Sequence, residues 1–339
     1  MKYLLLISTL IILITANCYG QTGTEDFKIE LSAFKVQKNS YKAIHLVDVR
    51  PDKTNLGVVQ LGAFNKKVFV VPKVPMDEQF QDLFHSLTET KGEKDLFLLL
   101  RQFNFAEVSS ATSEKGYCHI RAVLFTKAGD RFQKLDAIDT VVVVKSLDVT
   151  RSLLRQGSKT FTDFIAGNLN KEPDVDVSYS SQEVVNFDII EKQKLPLYIT
   201  TDYKSGIYKS FKSFIEQQPD EQNFSVEFYK NQKPKAVKLN RGKVEKLTAK
   251  EFYAFVYEGV PYISSGSAYY PLTKRDNDFY FISKASVAPN TTEVMLASAF
   301  FGVLGGLIAS TPGSALFEMK IDHLTGGFIR TEKIKSKNN

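Results

Sequence analysis

The residues able to do acid–base or nucleophilic chemistry are few and scattered. They are four histidines, His45, His85, His119 and His323, and one cysteine outside the N-terminal leader, Cys118. His45 and Asp48 could be drawn as part of a catalytic triad, but on a strand residues three apart point to opposite faces. Cys118 and His119 are neighbours and split the same way. Cys118 alternates with Ile120, Ala122 and Leu124, an apolar set that suits an inert buried thiol. His85 and His323 are isolated, and no two histidines have metal-ligand spacing. Asp174, Asp176 and Ser178 begin like a calcium loop, yet Tyr179 stands where the sharp turn needs glycine and Val185 where a bidentate glutamate is required. There is no phosphate-cradling glycine loop with a following Lys-Ser/Thr, and no Gly-x-Ser-x-Gly elbow. The sequence therefore assigns no catalytic residue, cofactor or metal, and it points away from an enzyme.

Two other features could carry function by contact. Residues 230–250 hold eight cations, Lys230, Lys233, Lys235, Lys238, Arg241, Lys243, Lys246 and Lys250, with Glu245 the one acid among them. The first six form a candidate contact for an anionic surface, either lipid head groups or acidic glycans. The alternation of Lys238 with Val237 and Leu239 favours a plainer role as the wet face of a hairpin. Residues 294–309 carry no charge, and Ser298, Gly302, Gly306 and Ser310 recur every four residues, on one face of a helix. Such a stripe of small side chains lets another backbone approach closely. Sixteen helical residues rise roughly 24 Å, short of the ~30 Å hydrocarbon layer. A buried or self-packing helix is favoured over membrane contact or insertion, and that over an oligomer contact. If the segment did span, Arg330, Lys333, Lys335 and Lys337 would lie beyond it, on the side the positive-inside rule assigns to cytoplasm.

The elements that must position these residues follow from periodicity. Residues 27–75 alternate as strands, with Phe27, Ile29, Leu31 and Ala33 set against polar neighbours. Asp77 is placed to cap a helix reaching Thr90, because Phe80, Leu83, Phe84 and Leu87 share one face. Residues 96–100, 103–105, 117–125 and 132–144 read as buried strands, and Asp148 caps a second helix over 149–169. This predicts an α+β fold over residues 21–170, an N-terminal antiparallel sheet with two helices on one side. Residues 171–194 read as a linker with a short helix, announced by Ser180 and Glu183 as a capping box. A small β-rich module follows over 195–285, with 197–202 as its first strand and one short helix at 210–217. Residues 286–339 are expected to add the C-terminal apolar helix and a hairpin.

Residues 1–20 read as a secretory signal peptide cleaved after Gly20. Lys2 is followed by an apolar block too short to span a bilayer and then by small residues. Acylation of Cys18 is the rival, disfavoured because a large polar Asn17 stands where a small residue is needed. Removing Lys2 leaves 43 cations against 38 acids, a formal charge of +5, too modest to imply a nucleic-acid partner. The remaining 319 residues suffice for two domains, and with Cys118 alone they hold no internal disulfide, which favours a bacterial envelope.

Gly206, Ile207, Tyr208, Ser210, Phe211 and Phe214, then Pro219 and the tyrosine-rich pair 260–263 and 268–271, carry a resemblance. The region resembles exported, functionally uncharacterised Gram-negative envelope proteins with a Gly-Ile-Tyr-x-Ser-Phe-x-x-Phe β module. The resemblance covers about a quarter of the chain and implies a compartment and a β module, with no catalytic residues. Through Val47, Asp48, Arg50, Leu56 and Gly57 the first domain also resembles the soluble domains of envelope auxiliary lipoproteins. The expectation is a non-enzymatic exported protein, periplasmic or outer-membrane associated, acting as an interaction or scaffold component. The alternatives are a periplasmic binder of lipid or another hydrophobic ligand and, third, an unrecognised hydrolase. The expected partners are another envelope protein or a membrane surface, with self-association through the small-residue helix.

Overall fold

The computed structural model describes residues 23–62, 65–89, 92–109, 114–146, 149–265, 268–284 and 316–334. The leader with Cys18, the Asp148 cap, and the stripe of Ser298, Gly302, Gly306 and Ser310 lie outside the described residues. Among the described residues no helix is long and apolar enough to cross a membrane.

The first unit is built on strands β1 (Thr24–Phe27), β2 (Tyr41–Asp48), β3 (Gly57–Leu61), β4 (Lys66–Pro72), β5 (Lys94–Ser109), β6 (Glu114–Ala128), β7 (Arg131–Val144) and β8 (Ser178–Tyr179). Two helices join them, α1 (Met76–Leu87) and α2 (Val149–Ala166). The strand order is β1-β4-β3-β5-β6-β7-β8, with β2 beside the first half of β5. Phe80, Leu83, Phe84 and Leu87 of α1, with Leu153, Phe161 and Ile165 of α2, pack on Leu98, Leu100, Ile120, Ala122 and Leu124. Rings fill this core edge to face: Phe103 lies 4.8 Å from Phe161 and 5.1 Å from Phe27, centroid to centroid. The buried Gln79 is satisfied, accepting from the Ile29 N–H at 2.7 Å and donating to the Val74 carbonyl at 2.6 Å. The helix begins at Pro75 without a side-chain cap, so Asp77 serves only the first-turn dipole.

The expected antiparallel sheet is corrected to a mixed, half-barrel one. Pairs β1/β4, β2/β5 and β3/β5 run parallel, while β3/β4, β5/β6 and β6/β7 run antiparallel. Alternation marks which residues face a core but not the direction of the neighbouring strand. Direction is set here by the crossover from β2 to β5 through β3, β4 and α1, which returns the chain parallel.

From residue 181 onward come α3 (Ser181–Val185), α4 (Phe187–Lys192), α5 (Pro196–Ile199), β9 (Gly206–Tyr208) and α6 (Phe211–Ile215). Ser180 and Glu183 do form a capping box on α3. Residues 196–199 are a helical turn rather than the expected strand, with Pro196 at its start, where a missing N–H costs nothing. Strands β10 (Phe224–Phe228), β11 (Pro234–Arg241) and β12 (Lys243–Leu247) make one small sheet. Strands β13 (Ala254–Tyr257), β14 (Val260–Ser265) and β15 (Ala268–Pro271) join β9 in a second. Strands β16 (Thr273–Arg275), β17 (Asp278–Lys284), β18 (Leu316–Ile321) and β19 (Phe328–Lys333) make a third. The second sheet is the middle layer. Ala254, Val256 and Ile263 pack against Phe279, Phe281, Met319 and Phe328, and Phe255 and Tyr262 on the other face pack against Val237, Leu239 and Leu247.

The expected C-terminal hairpin is likewise corrected in its placement, since β18 and β19 complete the sheet that β17 begins; the apolar helix expected over residues 294–309 lies outside the described residues. Lys284 and Leu316 are paired neighbours in β17 and β18. Strands β17, β18 and β19, with Arg330 on the last, therefore belong to one sheet.

Candidate functional site

Charged side chains concentrate where β6 and β7 meet the turn between β18 and β19. Arg121 on β6 is 7 % exposed, and its Nη2 donates to Asp139 Oδ2 on β7 at 2.8 Å and to Asp322 Oδ2 at 2.9 Å. Asp322, fully enclosed in the turn, also accepts from the Leu324 and Thr325 N–H groups through Oδ1 at 2.9 and 3.2 Å. Burial is the largest effect on this carboxyl and acts upward. The Arg121 charge, His323 and the Leu324 N–H together outweigh it and hold Asp322 well below the usual carboxylate range. His119 Nε2 lies 2.8 Å from Asp139 Oδ1.

A second set runs through α4. Arg101 on β5 forks onto Glu191 at 3.1 and 2.6 Å and reaches Asp188 at 2.5 Å, while His323 Nε2 meets Glu191 Oε2 at 2.9 Å. Lys192 pairs with Asp278 on β17 at 2.8 Å. Desolvation acts upward on Asp139, Asp188 and Glu191 too, and in each the neighbouring cations and hydrogen bonds win, so all three are lowered. These bonds join acids to bases across three elements of different origin. The first sheet, the short helix and the C-terminal turn are thereby fixed in one geometry, which is what buried ion pairs supply more readily than net stability. Arg121, Asp139, Asp188, Glu191 and Asp322 were not among the sequence-level candidates. The available signal was Arg121 itself, a cation set between Ile120 and Ala122 in an otherwise buried strand.

The histidines and the cysteine are dispersed. His45 pairs with Asp95 at 3.1 Å and stacks on Phe97, whereas Asp48 holds the buried Arg50 through both carboxylate oxygens. Cys118 points into the helix-covered core, and burial pushes its thiol well above the usual value. Among the described residues no three His, Cys, Asp or Glu side chains are grouped to hold a metal.

The basic stretch folds as β11 and β12, with β10 beside β11 in the same sheet. Val237, Leu239 and Leu247 face the middle sheet, and Lys238 and Lys246 stand opposite each other on the outer side. Lys230, Lys233 and Lys235 are exposed at the β10–β11 end, and Lys243 is exposed beside Arg241 at the β11–β12 turn. Six residues of strand separate Lys235 from Arg241, about 20 Å at 3.3 Å per residue. The sequence candidates thus form a stripe rather than a cluster. Lys238, at mid-stripe, is paired with Glu227, and that pair draws the glutamate below its usual range. Lys235 lies over the Tyr229 ring at 5.8 Å.

The Gly206 to Pro219 motif is architectural. Gly206 has φ +150°, and a Cβ there would sit 2.4 Å from Pro219 and 2.7 Å from the Glu221 carbonyl. Tyr208 and Phe214 are wholly buried against each other, and Ser210 caps α6 through a reciprocal bond with Ser213.

No family model and no curated protein matches the chain. Among solved structures, one of an uncharacterized protein matches at 12 % identity over 43 % of this chain and 98 % of its own, with a TM-score of 0.26. A protein from Xanthomonas campestris, of the DUF330 family, matches at 10 % identity over 42 % of this chain and 93 % of its own, with a TM-score of 0.29. Likeness at that level carries no argument about fold or function.

Proposed function

We propose that this is an exported, non-enzymatic envelope protein that works by docking, with the β10–β12 sheet leaning on the anionic head groups of a membrane surface. The observation that carries this reading is the division of that sheet into two faces. One face is spent on the apolar contact with Phe255, Tyr262 and Tyr269, and the lysines at both ends point to solvent. The buried ion pairs of Arg101, Arg121, Lys192 and Asp322 support it by holding the C-terminal sheets in a fixed pose on the first unit. The resemblance to exported Gram-negative proteins and the leader-like residues 1–20 support the compartment.

Cosedimentation with vesicles tests the docking. Each lysine near an anionic surface contributes about 1 kcal/mol, so Lys233→Gln, Lys235→Gln and Lys243→Gln together should weaken binding to phosphatidylglycerol vesicles roughly a hundredfold. Binding to phosphatidylcholine vesicles should stay negligible, and added salt should abolish the difference. Equal binding by the triple variant would remove the basis of the proposal. Fractionation of cells into cytoplasm, periplasm and membranes tests the compartment separately.

A further inference from the structure

The first sheet has one long edge that nothing among the described residues covers. β7 pairs with β6 along its whole length, but on its other side β8 reaches only Phe132 and Gln133, and the Lys134 carbonyl accepts from Asp174. From residue 137 to 144 no described strand lies alongside, and the run Thr140, Val141, Val142, Val143, Val144 is half-buried, β-branched and uncharged. Natural sheets guard their edges with charges, bulges or brevity. The other edges here follow that rule. β12 carries Lys243, Glu245 and Lys246, β2 carries Lys42 and His45, and β1 is four residues long with Glu25 and Asp26. The unguarded β7 edge is the exception.

We propose that this edge docks a second copy of the same chain, β7 against β7 in antiparallel register about Val142. Two copies related by a two-fold axis normal to the sheet must keep each face on its own side, so opposed residues share parity. Centring on Val142 sets Val141 against Val143, Thr140 against Val144, and Asp139 against Lys145 of the second copy, twice over. Asp139 and Lys145 are the only charges in residues 137–145, and this is the one register that opposes them. Centring on Val141 would set Asp139 against Val143 and Lys145 against Ala137. Both partners can meet: Lys145 is exposed, and the Asp139 side chain keeps 25 % of its surface open while it holds His119 and Arg121. Even-numbered Ile138, Val142 and Val144 belong to the face covered by α2, so pairing would extend that core from one copy into the next.

Sedimentation of the purified protein should show a dimer. Lys145→Glu places like charges opposite each other at both ends of the seam and should weaken association roughly tenfold or more while leaving the fold intact, since Lys145 is exposed. Val142→Cys is close to isosteric and places two sulfurs directly across the axis, so mild oxidation should link the copies covalently. Thr140→Cys, opposed to Val144, should not link. A protein that is monomeric throughout, a dimer indifferent to Lys145→Glu, or cross-linking at position 140 in place of 142 would each overturn the proposal.

Discussion

Asp322→Asn isolates the charge that ties the C-terminal turn to the first sheet. The amide oxygen can still accept from the Leu324 and Thr325 N–H groups, so the turn is kept and only the carboxylate facing Arg121 is lost. Removing one partner of a buried pair costs about 3 to 5 kcal/mol, and because Arg121 retains Asp139 the loss should fall near the lower end, about 3 kcal/mol at neutral pH. The sign with pH follows from the depressed folded value. Asp322 stabilises fully above its unfolded pKa near 3.9, and that contribution fades as pH falls below it, by about 1.4 kcal/mol per unit. The gap between wild type and variant should therefore be constant from about pH 5 to 8 and narrow between about pH 4 and 3. The chain has no tryptophan, so urea unfolding is best followed by far-ultraviolet circular dichroism. A cycle with Arg121→Met should show coupling of at least about 1 kcal/mol. A variant within about 0.5 kcal/mol of wild type at neutral pH, or a gap that does not narrow in acid, would refute the reasoning.

Gly326 has φ +73°, and a Cβ there would lie 2.3 Å from the Phe211 ring, while its carbonyl accepts from the Tyr253 hydroxyl at 2.7 Å. Gly326→Ala should cost about 2 to 3 kcal/mol in the same urea assay, with Phe211→Ala restoring part of the loss. Cys118 should stay unreactive to a maleimide in the folded protein and label at once in denaturant, because burial both hides the thiol and disfavours the thiolate. Rapid labelling of the native chain would place it elsewhere than in the core under α2.

Much of the first unit was legible because its elements obey simple periods. The α1 stripe of Phe80, Leu83, Phe84 and Leu87 and the apolar runs of β5 and β6 identify their structures without any neighbour. The same residues say nothing about strand direction. A buried strand such as β5 is apolar on both faces, so it reads alike whether β2 lies parallel or antiparallel to it. Residues 197–202 read as a strand, whereas 196–199 form a helical turn, and the proline at the start of that turn is the clue that counts the other way.

The sequence alone determined the capping of α3, the buried face of Cys118, and the wet alternation of Lys238 between Val237 and Leu239, because each depends on residues a few positions apart. Tertiary structure alone decided the union of Arg121 with Asp322, which stand 201 positions apart, the joining of β17 to β18, and the flank of β7 along which no described strand lies. Those follow from which surfaces remain to be covered once the local elements have formed. That is a question of packing across the whole chain, on which local spacing is silent.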